Sequence, residues 1–350
     1  MSDGLNKLAT ALTISPITYL FKAFRVLGLR SFDVEGREIL LKALEEPSAR
    51  TGSGVTVRDG EKGELRRLLG SEDVSNHNSV VDDPLIWSIL PTTNYFPFAS
   101  PTFVSRNNRW TLGASDIMFT KPLHRKFFTA GQVIETHRGK GVFQPAIDQA
   151  VKLLQQGEWI HIFPEGRVNQ PKFNPEGGLF RFKWGVGRII MDSKIMPEII
   201  PIWISGCDQI MNEYRGFPRP IPRPGGRVSM TIGEPITHKI QPLVDRWREL
   251  AAEEKGTLGV GGDWHPDEKD AGGLDHGGRL QEDSRQREVR GSGQLAQGRE
   301  EEVRKQIVGI LQEEVRKLGE RVERKEGRFE RGEWTQSRKM SERDEDIRQV

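Results

Sequence analysis

The stretch SNHNSVVDDP, Ser75 to Pro84, sets a histidine five residues before an aspartate, the two side chains that a general-base dyad needs. The same spacing recurs at His265 and Asp270, in WHPDEKD, so spacing alone assigns nothing. The surroundings separate the two pairs. His265 and Asp270 stand in a polar stretch without apolar flanks. His77 and Asp82 fall between an expected strand and an expected helix, where α/β proteins place functional groups. On one helix the pair would not meet, because positions five apart point about 140° away from each other. It works only if His77 stays in a loop and the chain folds back onto Asp82. The carboxylate would then accept the Nδ1 hydrogen, fix the tautomer and leave Nε2 as the base. The alternative is a loop histidine beside a helix-capping acid.

A second group lies in IHIFPEGRVN, Ile160 to Asn169. A strand runs into Pro164, Glu165 and Gly166, and Gly166 can take the positive φ of a sharp turn. Glu165 and Arg167 then project from the strand end, toward the side where open sheets bind ligands. The guanidinium of Arg167 suits a phosphate because it can make paired hydrogen bonds. The plainer reading is a turn with a surface ion pair. His161 and Glu165 do not read as a metal site, because one is inside a strand and the other beyond a proline turn. In GQVIETHRGKG, Arg138 and Lys140 end a strand before glycines, an arrangement that holds an anionic headgroup or is simply solvated. Lys183 and Arg188, in LFRFKWGVGR, add positive charge near the turn. No serine or cysteine stands out as a nucleophile.

The elements that must position these groups alternate. Phe32 to Gly36 reads as a strand, GREILLKALEE as a helix and GVTV, 54–57, as a buried strand. RDGEKGELRRLLGSEDV, 58–74, is mostly charged and reads as a surface excursion inserted before the histidine loop. Asp83 and Pro84 form a helix start, a capping side chain and then a first-turn proline. Arg109 to Gly113 reads as a strand and KPLHRKFFTAG as a short helix. GQVIETHRG, FQPAIDQAVKLLQQG, EWIHIF, GGLFRFKWGVGRIIMDS and EIIPIWISG then alternate strand, helix, strand, helix, strand. That order predicts βαβ crossovers and a parallel sheet. RVSMTIG adds a strand near an edge, and a helix follows from about Pro242 to Glu254. Residues 255–297 read as a disordered linker, 298–326 as an amphipathic helix with a stripe from Val303 to Val322, and 327–350 as a polar tail.

Composition narrows the setting. A net charge of +2 over 350 residues gives no global preference for nucleic acid. One cysteine, Cys207, excludes an intrachain disulfide and suits a reducing compartment. No run of about 18 apolar residues occurs, so no spanning helix is expected. The N-terminus, with Asp3 and no arginine before Arg25, resembles neither a secretory signal nor an ordinary transit peptide. Residues 8–29 are still apolar, and Pro16 would break a single long helix there. Ile17 to Leu29 reads either as a helix lying flat on a membrane, with Lys22 and Arg25 at the headgroups, or as a core-packing helix.

Four blocks, in this order, resemble the glycerolipid (lysophospholipid) acyltransferase family. They are NHNSVVD at 76–82, GQVIETHR at 131–138, FPEGR at 163–167 and IIPIWI at 199–204. Most members carry a threonine between the glycine and arginine of the third block. Here Arg167 follows Gly166 directly, as in the branch that moves acyl chains between phospholipids without coenzyme A. The resemblance covers roughly 17–250 and departs at 58–74 and 255–297. It implies an α/β fold with a mixed, largely parallel sheet flanked by helices: an acyltransferase domain at 31–254 behind an apolar, membrane-associating segment, 1–30. It implies a phospholipid–lysophospholipid transacylase that remodels cardiolipin without a cofactor. The protein would be peripheral on mitochondrial membranes, the inner one or the outer one facing the intermembrane space. In that reading His77 and Asp82 are catalytic, and Arg138, Glu165, Gly166 and Arg167 bind substrate. Two rivals stand beside it: an acyl-CoA-dependent acyltransferase for a lysophospholipid or glycerol phosphate, and an inactive membrane lipid-binding protein whose site the 58–74 insertion has spoiled.

Overall fold

A computed structural model describes residues 3–44, 71–95, 107–170, 172–175, 177–219, 221–257, 284–328 and 330. Among these, the strands are β1 (Ser31–Glu35), β2 (Ser71–Ser75), β3 (Trp110–Ala114), β4 (Val133–Thr136), β5 (Trp159–Ile162), β6 (Glu198–Ser205) and β7 (Arg227–Ile232). They pair into one sheet in the order β1-β7-β6-β2-β5-β3-β4. Every pairing is parallel except that of β6 with β7. The helices are α1 (Asp3–Leu27), α2 (Arg37–Leu44), α3 (Asp82–Ser88), α4 (Ser115–Met118), α5 (Pro122–Ala130), α6 (Pro145–Gln155), α7 (Gly185–Asp192), α8 (Cys207–Ile210), α9 (Thr237–Thr257) and α10 (Ser284–Lys325). The fold is thus α/β, with a mixed, largely parallel sheet.

Apolar side chains on both sheet faces explain the layers. Ile200, Ile202, Ile204 and Met230 point to one side and pack against Ile14 of α1, Leu40 of α2 and Leu85 and Ile86 of α3. Ile160, Ile162, Ile199 and Trp203 point to the other, against Ile147 of α6, Ile189 of α7, Ile240 of α9 and Ile307, Leu311 and Val315 of α10. Each such side chain, fully buried, stabilises the fold by about 1.5–3 kcal/mol. The C-terminal amphipathic stretch is therefore part of the core. Its helix also begins at Ser284, upstream of the 298 expected from the stripe, because the residues before Val303 carry no apolar period.

Two prolines sit inside helices. Pro16 lies within α1 and Pro242 within α9, where local preference predicts a break and a first turn. An interior proline costs about 3 kcal/mol. Burial of Thr10, Ile14 and Thr18 offsets that cost, and α1 continues through Pro16. One face of α1 is core, as the core-packing reading expects, while Leu12, Leu20, Val26 and Leu27 are exposed. Among the described residues no helix is long and apolar enough to cross a membrane.

The central strand departs most from expectation. GVTV, 54–57, lies outside the described residues. The strand between β6 and β5 is SEDVS, from the end of the charged stretch. Strands buried on both faces normally read as unbroken apolar runs. Here Glu72 and Asp73 are fully buried. The Trp159 indole donates to Asp73 Oδ2, but neither carboxyl oxygen of Glu72 has a partner among the described residues. Burial pushes the Asp73 carboxyl up to about 8 and that of Glu72 well above its usual value.

Candidate active site

The site forms where β2 and β5 end at the carboxyl edge of the sheet, the edge at which parallel α/β sheets bind ligands. Asn76 follows β2 directly. Its side chain mimics one more strand residue: Nδ2 donates to the Ile204 carbonyl (2.8 Å), and Oδ1 accepts from the Ile204 amide (2.8 Å). Asn78 Nδ2 donates to the same carbonyl (2.7 Å). The chain is thereby turned out of the sheet at His77, in a loop, and re-enters at α3.

That turn brings His77 and Asp82 together. Nδ1 of His77 lies 3.0 Å from Oδ2 of Asp82, and the Ser79 amide donates to the same oxygen (2.7 Å). Asp82 is fully buried, while about a fifth of the His77 side chain is exposed. The carboxylate is acceptor-only when ionised, so Nδ1 carries the hydrogen and Nε2 is left with its lone pair. The ring is held flat against Phe163 at 4.1 Å between centroids. Behind Phe163 stands His161, buried and bonded to Ser75 Oγ (3.1 Å). Burial lowers His161 to about 3, so it is neutral and takes no proton. Cys207 lies beside Asp82. Burial first, and the Asp82 carboxylate next, push its thiol up, so it offers no thiolate.

Asp83 does not cap α3. The helix begins one residue earlier, and Asp83 accepts from Arg109 Nε (2.6 Å) and Nη2 and from the Trp87 indole (3.1 Å). Burial opposes ionisation of Asp83, but the Arg109 guanidinium outweighs it and holds the carboxyl below its usual range. Arg109 itself is fully buried, stacked over the Trp87 ring at 4.0 Å. This pair fixes the helix that carries Asp82.

The turn after β5 locks the loop from the other side. Glu165 is buried, and all its partners are donors: the His77 amide (2.9 Å) to Oε1, and Asn169 Nδ2 (2.6 Å) and the Phe180 amide (2.8 Å) to Oε2. Burial pushes its carboxyl up to about 7 against these three donors, which favour the carboxylate. With both oxygens engaged inside the protein, Glu165 clasps the histidine loop. The Asn169 amide donates to the His77 carbonyl (2.6 Å), and Gln170 Nε2 to that of Asn78 (2.7 Å). Gly166 takes φ +71°, as the sharp turn requires. The same network shortens α7. The Phe180, Phe182 and Lys183 amides donate to Glu165, Gln312 and the Pro164 carbonyl, so no helix starts before Gly185.

A cationic rim borders the turn. Arg167 is exposed, its guanidinium 5.3 Å from the Phe180 ring. Arg138 is exposed and paired with Asp116 (2.6 Å). Partial burial first, then Arg167, Arg181 and Arg138, lower the pKa of Lys183, which places the three arginines within electrostatic reach of Lys183. Arg188 is turned away, to Asp148 and Asp192. Such a rim can hold a phosphate.

Residues 73–205 match the family model described as acyltransferase. It is 36% identical over 167 residues to the protein named "Taffazin" of Dictyostelium discoideum, covering 47% of this chain and 53% of that one. It is 40% identical over 163 residues to tafazzin of Drosophila melanogaster, covering 47% and 39%. It is 33% identical over 174 residues to N-acylphosphatidylethanolamine synthase of Arabidopsis thaliana, covering 49% and 57%. The chain spans about half the length of the curated relatives it matches.

Proposed function

We propose that the chain is a phospholipid–lysophospholipid transacylase of the tafazzin type, with cardiolipin as the lipid it remodels. His77 Nε2 takes the proton of a lysophospholipid hydroxyl as its oxygen attacks the ester carbonyl of a donor phospholipid. The tetrahedral oxyanion collapses, the donor C–O bond breaks, and His77 returns the proton to the leaving alkoxide. Asp82 holds the tautomer and stabilises the imidazolium between the two transfers. Arg138 and Arg167, with Lys183 beside them, hold phosphates. Gly166 lets the turn approach the headgroup, and Glu165 holds the His77 loop in place of touching substrate. The acyl group passes from lipid to lipid, so no coenzyme A is needed. The setting is the surface of mitochondrial membranes. The observation that carries this reading is the 3.0 Å contact of His77 with the buried Asp82.

The test is transfer of a labelled acyl chain from phosphatidylcholine to lysocardiolipin with coenzyme A absent. Transfer is expected, and His77→Ala is expected to lower it by roughly 10²–10⁴-fold, the contribution of a positioned base. Transfer seen only with acyl-CoA would make the chain a coenzyme-A-dependent acyltransferase. Vesicle binding with no His77-dependent transfer would leave it a lipid-binding protein. The Arabidopsis relative's name suggests a second acceptor, the amine of phosphatidylethanolamine. Its product would be an amide that survives mild alkali, which removes ester-linked chains.

A further inference from the structure

A cleft of about 430 Å³ opens between α1, β1 and the end of α3. Asp82 is at the start of α3 and Ser88 at its end, so the cleft lies roughly 10 Å from the dyad, one helix length away. It is lined by Lys22, Arg25 and Arg37, by Phe32 and Val34, and by backbone from Ser88 to Thr92. Among the described residues no carboxylate lines it. Successive residues of β1 face opposite ways, so Phe32 and Val34 line the cleft while Asp33 and Glu35 point to the other side. There Glu35 is taken up by Lys325 (2.7 Å).

Among the described residues the positive charge meets backbone carbonyls and no carboxylate. Lys22 Nζ donates to the carbonyls of Ser88 (2.9 Å) and Leu90, and Arg25 Nη1 to that of Ser88 (2.7 Å). A helix end offers about half a negative charge. Three full positive charges face it. Arg37 is exposed and makes no ion pair among the described residues. Burial first, then Arg25 and Arg37, lower Lys22 to about 8, and burial and Arg37 lower Arg25. Each cation thus makes its neighbours less stable, a deficit that an anion would remove. Beside them, one helical turn beyond Lys22, Val26 is 74% and Leu27 85% exposed. Bare apolar side chains next to cations suit the level of lipid headgroups.

We propose that this cleft is a second lipid site, in which the phosphate of an anionic membrane phospholipid sits among Lys22, Arg25 and Arg37 with its acyl region toward Val26 and Leu27. It is separate from the His77 site and stands whether or not that site transfers acyl groups.

Lys22 reports on it directly. An amine with a pKa of about 8 is partly uncharged at pH 8 and reacts with acetic anhydride, whereas a bound phosphate raises the pKa and shields the nitrogen. Full-length protein is labelled at that pH and Lys22 followed by peptide mass spectrometry. The additions are glycerol 3-phosphate, phosphatidylcholine vesicles, or the same vesicles with phosphatidate. Phosphatidate vesicles are expected to slow labelling of Lys22 about fivefold relative to plain ones, the effect of one cation at an anionic lipid surface. Arg37→Gln is expected to remove most of that protection with the melting temperature unchanged. Equal labelling with both vesicles overturns the proposal, as does full protection in the Arg37 variant. Protection by glycerol 3-phosphate with none from phosphatidate vesicles overturns the lipid as occupant.

Discussion

Replacing Glu72 by methionine is expected to stabilise the protein, and the size of the gain follows from where the carboxyl sits. Glu72 pairs with Ile160 and Ile199 in the middle of the sheet and is fully buried, with neither oxygen bonded among the described residues. An uncharged polar group buried without a partner costs about 1–3 kcal/mol. Methionine has a similar length and adds apolar burial of about 1.5 kcal/mol. At about pH 4, where the carboxyl is protonated in both states, a gain of about 3 kcal/mol is expected, or ~6 °C at ~2 °C per kcal/mol for a domain this large, and the gain grows as pH rises. The pH dependence has a definite sign. Below about 4 both folded and unfolded chains hold the protons of Glu72 and Asp73. Above that the unfolded chain releases them and the folded one keeps them, so stability falls as pH rises. For Asp73 the fall continues to about 8. Each group contributes a slope of about 1.4 kcal/mol per pH unit in that window. Urea melts at pH 5, 6 and 7 measure it: Glu72→Met is expected to remove one group's share of the slope. Deleting 58–74 joins GVTV to Ser75 and sets Val55 where Glu72 stands relative to His77, so the same direction of change is expected. A Glu72→Met protein no more stable than the parent, with the slope intact, would refute the reasoning. The carboxyl would then have found water or a cation, and SEDVS would not be the central strand.

Substitutions at four further positions probe the frame of the dyad and of the core. Glu165→Gln turns an acceptor-only group into one that faces at least one donor with another, at a cost of about 1–3 kcal/mol; a lower melting temperature with a depressed kcat is expected. Arg109→Ala leaves Asp83 without its ion-pair partner and is expected to destabilise by about 3–5 kcal/mol in urea melts, with Arg109→Lys recovering only part because it loses the paired geometry. In α10, Gly319→Ala drives a methyl into the Trp203 ring and is expected to cost about 1–3 kcal/mol, whereas Gly309→Ala meets open space and is expected to gain up to about 1 kcal/mol. Tryptophan fluorescence during unfolding separates the last two.

The βαβ run from Val133 to Ser205 is legible in the sequence because its strands are buried on both faces and its helices on one, so burial writes itself into residue type. Local constraints permit the meeting of His77 with Asp82, through a polar loop, a helix start and five residues between, but leave it one of two readings until the order of the four blocks singles it out. The hidden parts share a physical cause. Asp83 and Arg109 are far apart in sequence, and nothing local distinguishes their pairing from helix capping. Two of the donors that hold Glu165 are backbone amides, which every residue but proline has, so residue type carries no trace of them. Helix α7 starts late for the same reason. Pro16 and Pro242 read as breaks because local preference says so, and tertiary packing overrides it. Central strand β2 is illegible because two buried acids contradict the pattern on which strand reading depends.

Helix α10 also has a consequence for how the chain is made. It seats Ile307, Leu311, Val315 and Val322 on the sheet face that carries Ile160, Ile199 and Trp203, and it ties Glu323 to the Trp203 indole (2.9 Å). During synthesis every strand of that face leaves the ribosome before its cover exists. Until α10 is made, the part of that face that α6, α7 and α9 leave uncovered stays bare. A product ending near residue 257 would keep that surface for good and be cleared by proteases, its dyad complete and its interior open to water.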